Sequence, residues 1–267
     1  MKVLISVDME GIAGVVSWDH VSSTHKEYKR FRKLMTAEAN AAIEGARTGG
    51  ATRIVVNDSH GGMKNLLIEE LDPAAELISG SPKPFGMMQG IGPDVDRVFF
   101  VGYHAAVGVE AAILAHTWSS STVAEVRLNG QIMGETGINA ALAGAYGAPV
   151  VLVTGDRAVT EEARALLGEI ETAVVKKGVT RTAAQCLHPK VAQDLIRQAA
   201  ERALAVAPAP FSIEPPITVQ VVFKNALQAD QAALLPGSQR MDGRTVAWTG
   251  EDMPTVYKSF RALVALA

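Results

Sequence analysis

Three runs of branched apolar residues, each ending abruptly on polar side chains, constrain this chain more than any other feature. They are Val3–Val7, Thr52–Val56 and Arg97–Val101. Near-continuous apolar runs of this length fit strands buried on both faces, the pattern of a parallel sheet. The first closes on Asp8-Met9-Glu10-Gly11, the second on Asn57-Asp58-Ser59-His60-Gly61-Gly62, the third on Gly102-Tyr103-His104-Ala105. Residues two apart in an extended chain point the same way, so Asp8 and Glu10 can converge at one strand end. Parallel strands bring their carboxyl ends side by side, where open α/β sheets place their ligands. Buried carboxylates are costly without partners, so cations are expected there.

The intervening chain supports the same architecture. Between the first two runs, Phe31, Leu34, Met35, Ala39, Ala42, Ile43 and Ala46 share one face of a helix expected over residues 26–46, which Gly49-Gly50 stops. Strand, helix and strand with short connections read as a right-handed βαβ unit. A short helix is expected at 66–71, a brief strand at 76–79, and a small strand over Ile113–Thr117 that carries His116. Asn129-Gly130 marks a hairpin between 122–128 and 131–133. An Ala-rich helix opens at Gly134-Glu135 and a buried strand spans 149–153. Beyond Gly155 come helices at 160–168 and 189–206, strands at 172–175, 217–223 and 245–248, and a closing helix from Met253. The expected fold is α/β: an open, mostly parallel sheet with flanking helices, plus a smaller C-terminal α+β part. A metal-binding domain over 1–180 and a region over 181–267 packed on it are expected.

Composition excludes several classes. Net charge is −3 with acids and bases interspersed, and aromatics make up 5%, so neither a nucleic-acid footprint nor base-stacking platforms are expected. Cys186 is the lone cysteine, which rules out an intramolecular disulfide and any CxxC metal knuckle. No run approaches the roughly 18 apolar residues of a membrane span, and no leader precedes the first strand. A cytoplasmic protein is expected.

The strand-end residues Asp8, Glu10, His60, His104 and Glu135, with His116 nearby, form a mixed oxygen and nitrogen set. Such a set suits Zn²⁺ or Mn²⁺ and poorly suits metals that want thiolate. Five protein ligands on one ion would leave little room for substrate. Two ions sharing a bridging carboxylate resolve this, and a bridging hydroxide would neutralise the residual charge. Paired metals about 3.5–4 Å apart activate water and clamp both the attacked and the developing oxygens. His116 would remain free for proton transfer or for steadying an oxyanion.

Several segments carry a resemblance. Ser6–Gly11, Asn57–His60, Gly102–Ala105, His116-Thr117 and Asn129-Gly130…Gly134-Glu135…Gly137…Asn139 resemble the motifs of the bacterial D-aminopeptidases of the DppA type. Met35–Asn40, Leu77–Gly80 and Lys83–Phe85 extend the similarity over most of the chain. The resemblance implies a zinc-dependent aminopeptidase that releases the N-terminal residue of short peptides, with D-residues preferred. It implies two Zn²⁺ per chain, with Mn²⁺ or Co²⁺ as substitutes. Asp8 would bridge them, Glu10 and His60 would serve one, and His104 and Glu135 the other. His116 would be the catalytic side chain, proposed in the family as a nucleophile. With two metals to activate water, acid–base or transition-state work suits it better. A homodecamer of paired pentamers with the sites facing an inner chamber is also implied.

Two other readings fit parts of the pattern. Another binuclear metallohydrolase, a phosphoesterase or amidohydrolase, could share the ligands, but a phosphoesterase wants Arg or Lys beside the metals, and the motif segments offer only Lys64 and Arg127. A catalytically silent oligomeric binding protein would have no reason to hold all six residues. Ser59 and Ser119-Ser120-Ser121 lack the GxSxG elbow of a serine hydrolase, and no phosphate loop is present. His20, His25 and His188 read as surface residues.

Overall fold

The computed structural model describes all residues, 1–267. The chain opens with β1 (Lys2–Val7), α1 (Trp18–Val21), α2 (Tyr28–Thr48), β2 (Arg53–Asp58), β3 (Ala75–Ile78) and β4 (Arg97–Tyr103). A hairpin of β5 (Val123–Leu128) and β6 (Gln131–Ile132) leads into α3 (Glu135–Ala145), β7 (Val150–Asp156), α4 (Arg157–Leu167), β8 (Glu171–Thr180) and β9 (Ala183–Cys186). The remainder is α5 (Pro189–Ala203), β10 (Ile217–Phe223), α6 (Ala226–Ala232), β11 (Ser238–Arg240), β12 (Thr245–Gly250) and α7 (Met253–Leu266).

The apolar runs do form the centre of a parallel sheet. Its order is β3-β2-β1-β4-β7-β8-β9, parallel throughout except for β9 at the edge. Side chains alternate between its faces, as a strand's period of two requires. Leu4, Val55, Val98 and Phe100 face one core, with Val221, Tyr257 and Phe260. Val3, Ile5, Ile54, Val56 and Phe99 face the other, with Phe31, Met35 and Ile43 of α2 and Ile196 and Ala200 of α5. A second, antiparallel sheet, ordered β11-β12-β10-β5-β6, lies on the first face. It takes β5 and β6 from before residue 180, while β9 and α5 from after that point belong to the first sheet and its helices.

Register places the strand ends at one level. Val7 pairs with Asp58 on one side and Val101 on the other. The sheet order reverses between β1 and β4, the topological switch point where open α/β sheets leave a crevice. There the chain beyond β1 presses on β4: Asp8 N donates to Val101 O at 2.8 Å and Gly11 N to Gly102 O at 2.7 Å. A Cβ on Gly11 would collide with Tyr103 O, and one on Gly102 (φ +70°) with Asp8 O. Glycine at both positions allows this close approach.

Two expected elements are absent. Residues 66–71 form turns rather than a helix, because side chains from elsewhere take their backbone groups. Asp58 accepts from Leu66 N at 2.7 Å, Thr36 Oγ1 accepts from Leu67 N at 3.1 Å, and Asn40 Nδ2 donates to Glu70 O at 2.8 Å. Residues 113–117 are irregular rather than a strand. Ile113 N donates to Asp156 Oδ2 at 2.7 Å, Leu114 N to Arg181 O at 2.9 Å, and Arg181 Nη2 to Ala115 O at 3.0 Å. Leu114 and Trp118, on either side of His116, adopt left-handed φ of 51° and 64°, a conformation uncommon outside glycine.

Candidate metal centre

All six residues singled out from the sequence meet at the switch point. Asp8 and Glu10 follow β1, His60 follows β2, His104 follows β4, Glu135 opens α3, and His116 sits on the irregular 113–117 segment. His60 Nδ1 lies 3.0 Å from Glu10 Oε2 and 3.3 Å from Asp8 Oδ1. His104 Nε2 lies 3.3 Å from Glu135 Oε1 and 3.5 Å from Asp8 Oδ2. Asp8 therefore stands between the two imidazoles. His116 Nε2 is 3.7 Å from Glu135 Oε1, and its ring stacks on His104 with centroids 4.0 Å apart. Ligand atoms of Asp8, Glu10 and His104 lie within 4.8 Å of one another, as do those of His104, His116 and Glu135.

Each imidazole is oriented by a backbone carbonyl. His60 Nε2 meets Val21 O at 2.9 Å, His104 Nδ1 meets Ala105 O at 3.0 Å, and His116 Nδ1 meets Leu114 O at 2.9 Å. A carbonyl only accepts, so each of these nitrogens carries the proton. The opposite nitrogens, His60 Nδ1, His104 Nε2 and His116 Nε2, all face carboxylate oxygens. In neutral rings of His60 and His104 those would be lone pairs set against lone pairs at 3.0–3.5 Å, which only a proton or a cation reconciles. His104 Nε2 is buried without a hydrogen-bond partner. Pinning the distal N–H is how proteins orient metal-binding histidines, and the donors present fit Zn²⁺.

Electrostatics point the same way. Burial and the neighbouring Glu10 charge raise the Asp8 carboxyl to about 7. Burial alone would lower His104, but the Glu135 and Asp8 carboxylates override it and lift the imidazole to about 10. For His60, burial is likewise overridden, by Glu10 and Asp8, which carry it well above its usual range. The converse holds for Glu10: burial opposes ionisation, yet His60 keeps the carboxyl well below the usual range. This is a negative centre that collects positive charge. His116 differs. Burial and the His104 charge hold it below its ordinary value, so it is neutral at neutral pH.

The turn after β1 is held from two sides. Lys176 of β8, fully buried, donates its ammonium to the carbonyls of Glu10, Ile12 (2.9 Å) and Val15 (2.7 Å). Glu38 of α2 accepts from Ala13 N at 2.8 Å. Below the centre runs a buried polar network. Ser6 Oγ meets Ser59 Oγ and Tyr103 OH, each at 2.7 Å; Asn139 Nδ2 donates to Tyr103 OH at 3.0 Å, and Tyr257 OH to Asn139 Oδ1 at 2.7 Å. Nearby, Lys83 Nζ donates to Asn57 Oδ1 at 2.7 Å and Asp58 O at 2.6 Å. Sequence reasoning gave none of these supporting residues a role. The available signals were the serine inside an otherwise apolar strand, Ser6, and the place of Asn57, Ser59, Lys83, Tyr103 and Asn139 within the motif segments.

The centre opens into a cavity of about 380 Å³ lined by Asp8, Glu10, His60, His116 and Glu135. A larger hollow of about 510 Å³, beside Glu125, Arg127 and Asp242, touches none of the six. Lys64 and Arg127 line no part of the centre's cavity; the one lysine or arginine there is Arg261 of α7. Of the other histidines, His20 stacks on Phe31 at 3.9 Å, half-buried, and the exposed His188 caps α5.

A mixed α/β fold with a buried imidazole–carboxylate centre at its switch point, opening to one cavity, is the arrangement of a metallohydrolase. The family model described as D-aminopeptidase matches residues 1–262. The D-aminopeptidase of Bacillus subtilis (strain 168) is 37% identical over 270 residues, covering 100% of this chain and 98% of that protein. The solved structure of the Zn-dependent D-aminopeptidase DppA from Bacillus subtilis, a self-compartmentalizing protease, superposes with a TM-score of 0.97 at 36% identity, covering 100% of this chain and 97% of that one. The chain belongs to the D-aminopeptidase family of peptidases.

Proposed function

We propose that this protein is a zinc-dependent aminopeptidase that removes D-residues from the N-terminus of short peptides. The observation that carries the site assignment is the set of three imidazoles, each pinned through its distal N–H, whose free nitrogens converge on three buried carboxylates. Membership in the D-aminopeptidase family supplies the reaction class. Asp8 would bridge two zinc ions, with Glu10 and His60 on one and His104 and Glu135 on the other. Bound zinc supplies an activated water and positive charge at the scissile carbonyl.

The chain's own groups handle the rest. His116 Nε2 is the free nitrogen of a ring fixed by Leu114 O and packed edge-on against Trp18 at 5.4 Å. Neutral at rest, it accepts the proton shed by the attacking water and returns it to the departing amine nitrogen. The water's other proton stays with the new carboxyl group until bulk solvent takes it, so water plus amide gives acid plus amine. General acid–base catalysis of this kind contributes typically 10²–10⁴-fold.

The assembly is proposed by likeness to the self-compartmentalizing relative: a closed homodecameric ring of paired pentamers in the cytoplasm, taking peptide substrates. No helix is long and apolar enough to cross a membrane. Metal analysis of the purified protein tests the centre, with about two zinc ions per chain expected and Asp8→Ala losing both. Assays with D-alanyl and L-alanyl peptides, before and after chelation, test the activity. One ion per chain, or undiminished hydrolysis after exhaustive chelation, refutes the two-metal centre; preference for L-peptides refutes the stereochemistry. Light scattering that reports a monomer at micromolar concentration removes the ring.

A further inference from the structure

Arg261 is the one group in the catalytic cavity with a full charge and no counter-charge. It reaches the cavity from α7, an element remote in sequence from every candidate ligand. Its Nη1 donates to Lys83 O and, at 2.8 Å, to Pro84 O, which fixes the plane of the guanidinium. Nε is buried and has no hydrogen-bond partner, and Nη2 makes no hydrogen bond within the protein. No carboxylate oxygen lies within 4.0 Å of it. Gly86, at φ +44°, leaves it room: a Cβ there would come within 2.9 Å of Arg261 Nε. The neighbouring cation cannot substitute, because the Lys83 ammonium is buried and engaged with Asn57 and Asp58. The remaining polar side chains of the cavity outside the metal centre are serine hydroxyls, among them Ser81 and Ser119, and the indoles of Trp18 and Trp118.

A guanidinium held through Nη1, with Nε buried and Nη2 free of protein partners, can still donate a charge-assisted hydrogen bond from Nη2 to a carboxylate. This inference rests on the aminopeptidase reading. A short peptide cleaved at its first bond presents its reacting end to the carboxylate–imidazole centre and has one other charge, its C-terminal carboxylate. We infer that Arg261 binds the C-terminal carboxylate of the peptide substrate, so that the cavity recognises both ends and selects short free-acid peptides. The cavity volume of about 380 Å³ suits an occupant of two or three small residues. A longer peptide would carry its carboxylate past the guanidinium and lose the contact.

The test compares D-alanyl-D-alanine with D-alanyl-D-alaninamide, which differ in that one charge. With zinc-loaded wild type, kcat/KM for the free acid should exceed that for the amide by roughly 10- to 100-fold, the range for a hydrogen bond to a charged group. In Arg261→Gln the ratio should collapse to within about threefold, chiefly through KM for the free acid, and Arg261→Lys should keep part of it as a point charge. A wild-type ratio near one overturns the inference. So does an Arg261→Gln variant that loses both activities alike, because that marks Arg261 as a clamp on residues 83–84 only. If zinc-loaded wild type cleaves neither compound, the aminopeptidase reading fails separately. Calorimetric titration of the same two compounds then still decides Arg261: tighter binding of the free acid, abolished in Arg261→Gln, upholds it, and equal binding refutes it.

Discussion

Replacing Lys176 by Met tests how the fold holds the acidic turn after β1. The side chain is 1% exposed, and its ammonium serves three carbonyls, those of Glu10, Ile12 and Val15. Hydrogen bonds to a charged group contribute about 1.5–3 kcal/mol each, so the three together stabilise the turn by about 5–9 kcal/mol before desolvation. Burial opposes this, moving the amine from 10.5 to about 8; at about 1.36 kcal/mol per pKa unit, that offsets about 3 kcal/mol. Methionine fills similar volume without a charge, so the net loss should be about 2–6 kcal/mol. Thermal unfolding at fixed protein concentration should show Tm lowered by roughly 4–24 °C, at about 2–4 °C per kcal/mol for chains of this size. Glu10 would lose its fixed backbone, and zinc affinity should fall by about 10–100-fold, the usual effect of removing a group that orients a ligand. A variant with wild-type zinc affinity and Tm within 2 °C would falsify the view that this ammonium organises the turn.

Two further outcomes separate roles that distance alone does not. His116→Gln should keep both zinc ions and lose about 10²–10⁴-fold in kcat with little change in KM; loss of an ion in metal analysis would instead make His116 a ligand beside His104 and Glu135. Glu38, buried with Oε2 unpartnered, has its carboxyl raised by burial from 4.5 to about 7. Its folded value lies above the unfolded one, so its contribution is fully present below pH 4.5 and is lost as pH rises through about 7. Glu38→Gln keeps the acceptor for Ala13 N, and should match wild type near pH 4.5 but be more stable by up to about 3 kcal/mol at pH 8; a urea-midpoint difference that does not grow across this window refutes the assignment.

Sequence reasoning reached the parts of this molecule governed by local pattern. Val3–Val7 (save Ser6), Ile54–Val56 and Val98–Val101 are apolar and buried on consecutive positions, the pattern of a doubly covered strand, and Asp8, Glu10, His60 and His104 sit a few residues beyond them. The 113–117 segment misled because Ile113-Leu114-Ala115 is apolar for a different reason. It is buried as loop, with backbone partners, Asp156 and Arg181, that lie more than 40 residues away. Lys176 was hidden because lysine at a strand position normally marks a solvent-facing side; nothing local reveals three carbonyls waiting in a turn 160 residues earlier. Arg261 was hidden for the same reason, on a helix whose sequence neighbours are ordinary core.

The proton inventory of the centre gives a last test that does not depend on turnover. Without metal, the three carboxylates keep protons on neighbouring groups: His104, lifted to about 10, and His60, held well above its usual range, are both protonated at pH 7, and the Asp8 carboxyl is raised to about 7. Zinc requires those lone pairs, so binding must expel the protons. Filling the centre at pH 7 should release at least about two protons per chain, one from each of these imidazoles. Calorimetric titrations of zinc into metal-free protein, repeated in buffers of different ionisation enthalpy, read that number as the slope of apparent enthalpy. Apparent affinity should also fall steeply as pH drops from 7 to 5, because zinc must expel the protons of both imidazoles throughout that range, and Asp8 adds its own as it fills. Release near zero at pH 7 would mean that the imidazoles stand neutral in the metal-free protein, and that the carboxylates, rather than being starved of positive charge, take it from elsewhere in the fold. Lys176, whose buried ammonium holds the Glu10 carbonyl, would then be the group to examine.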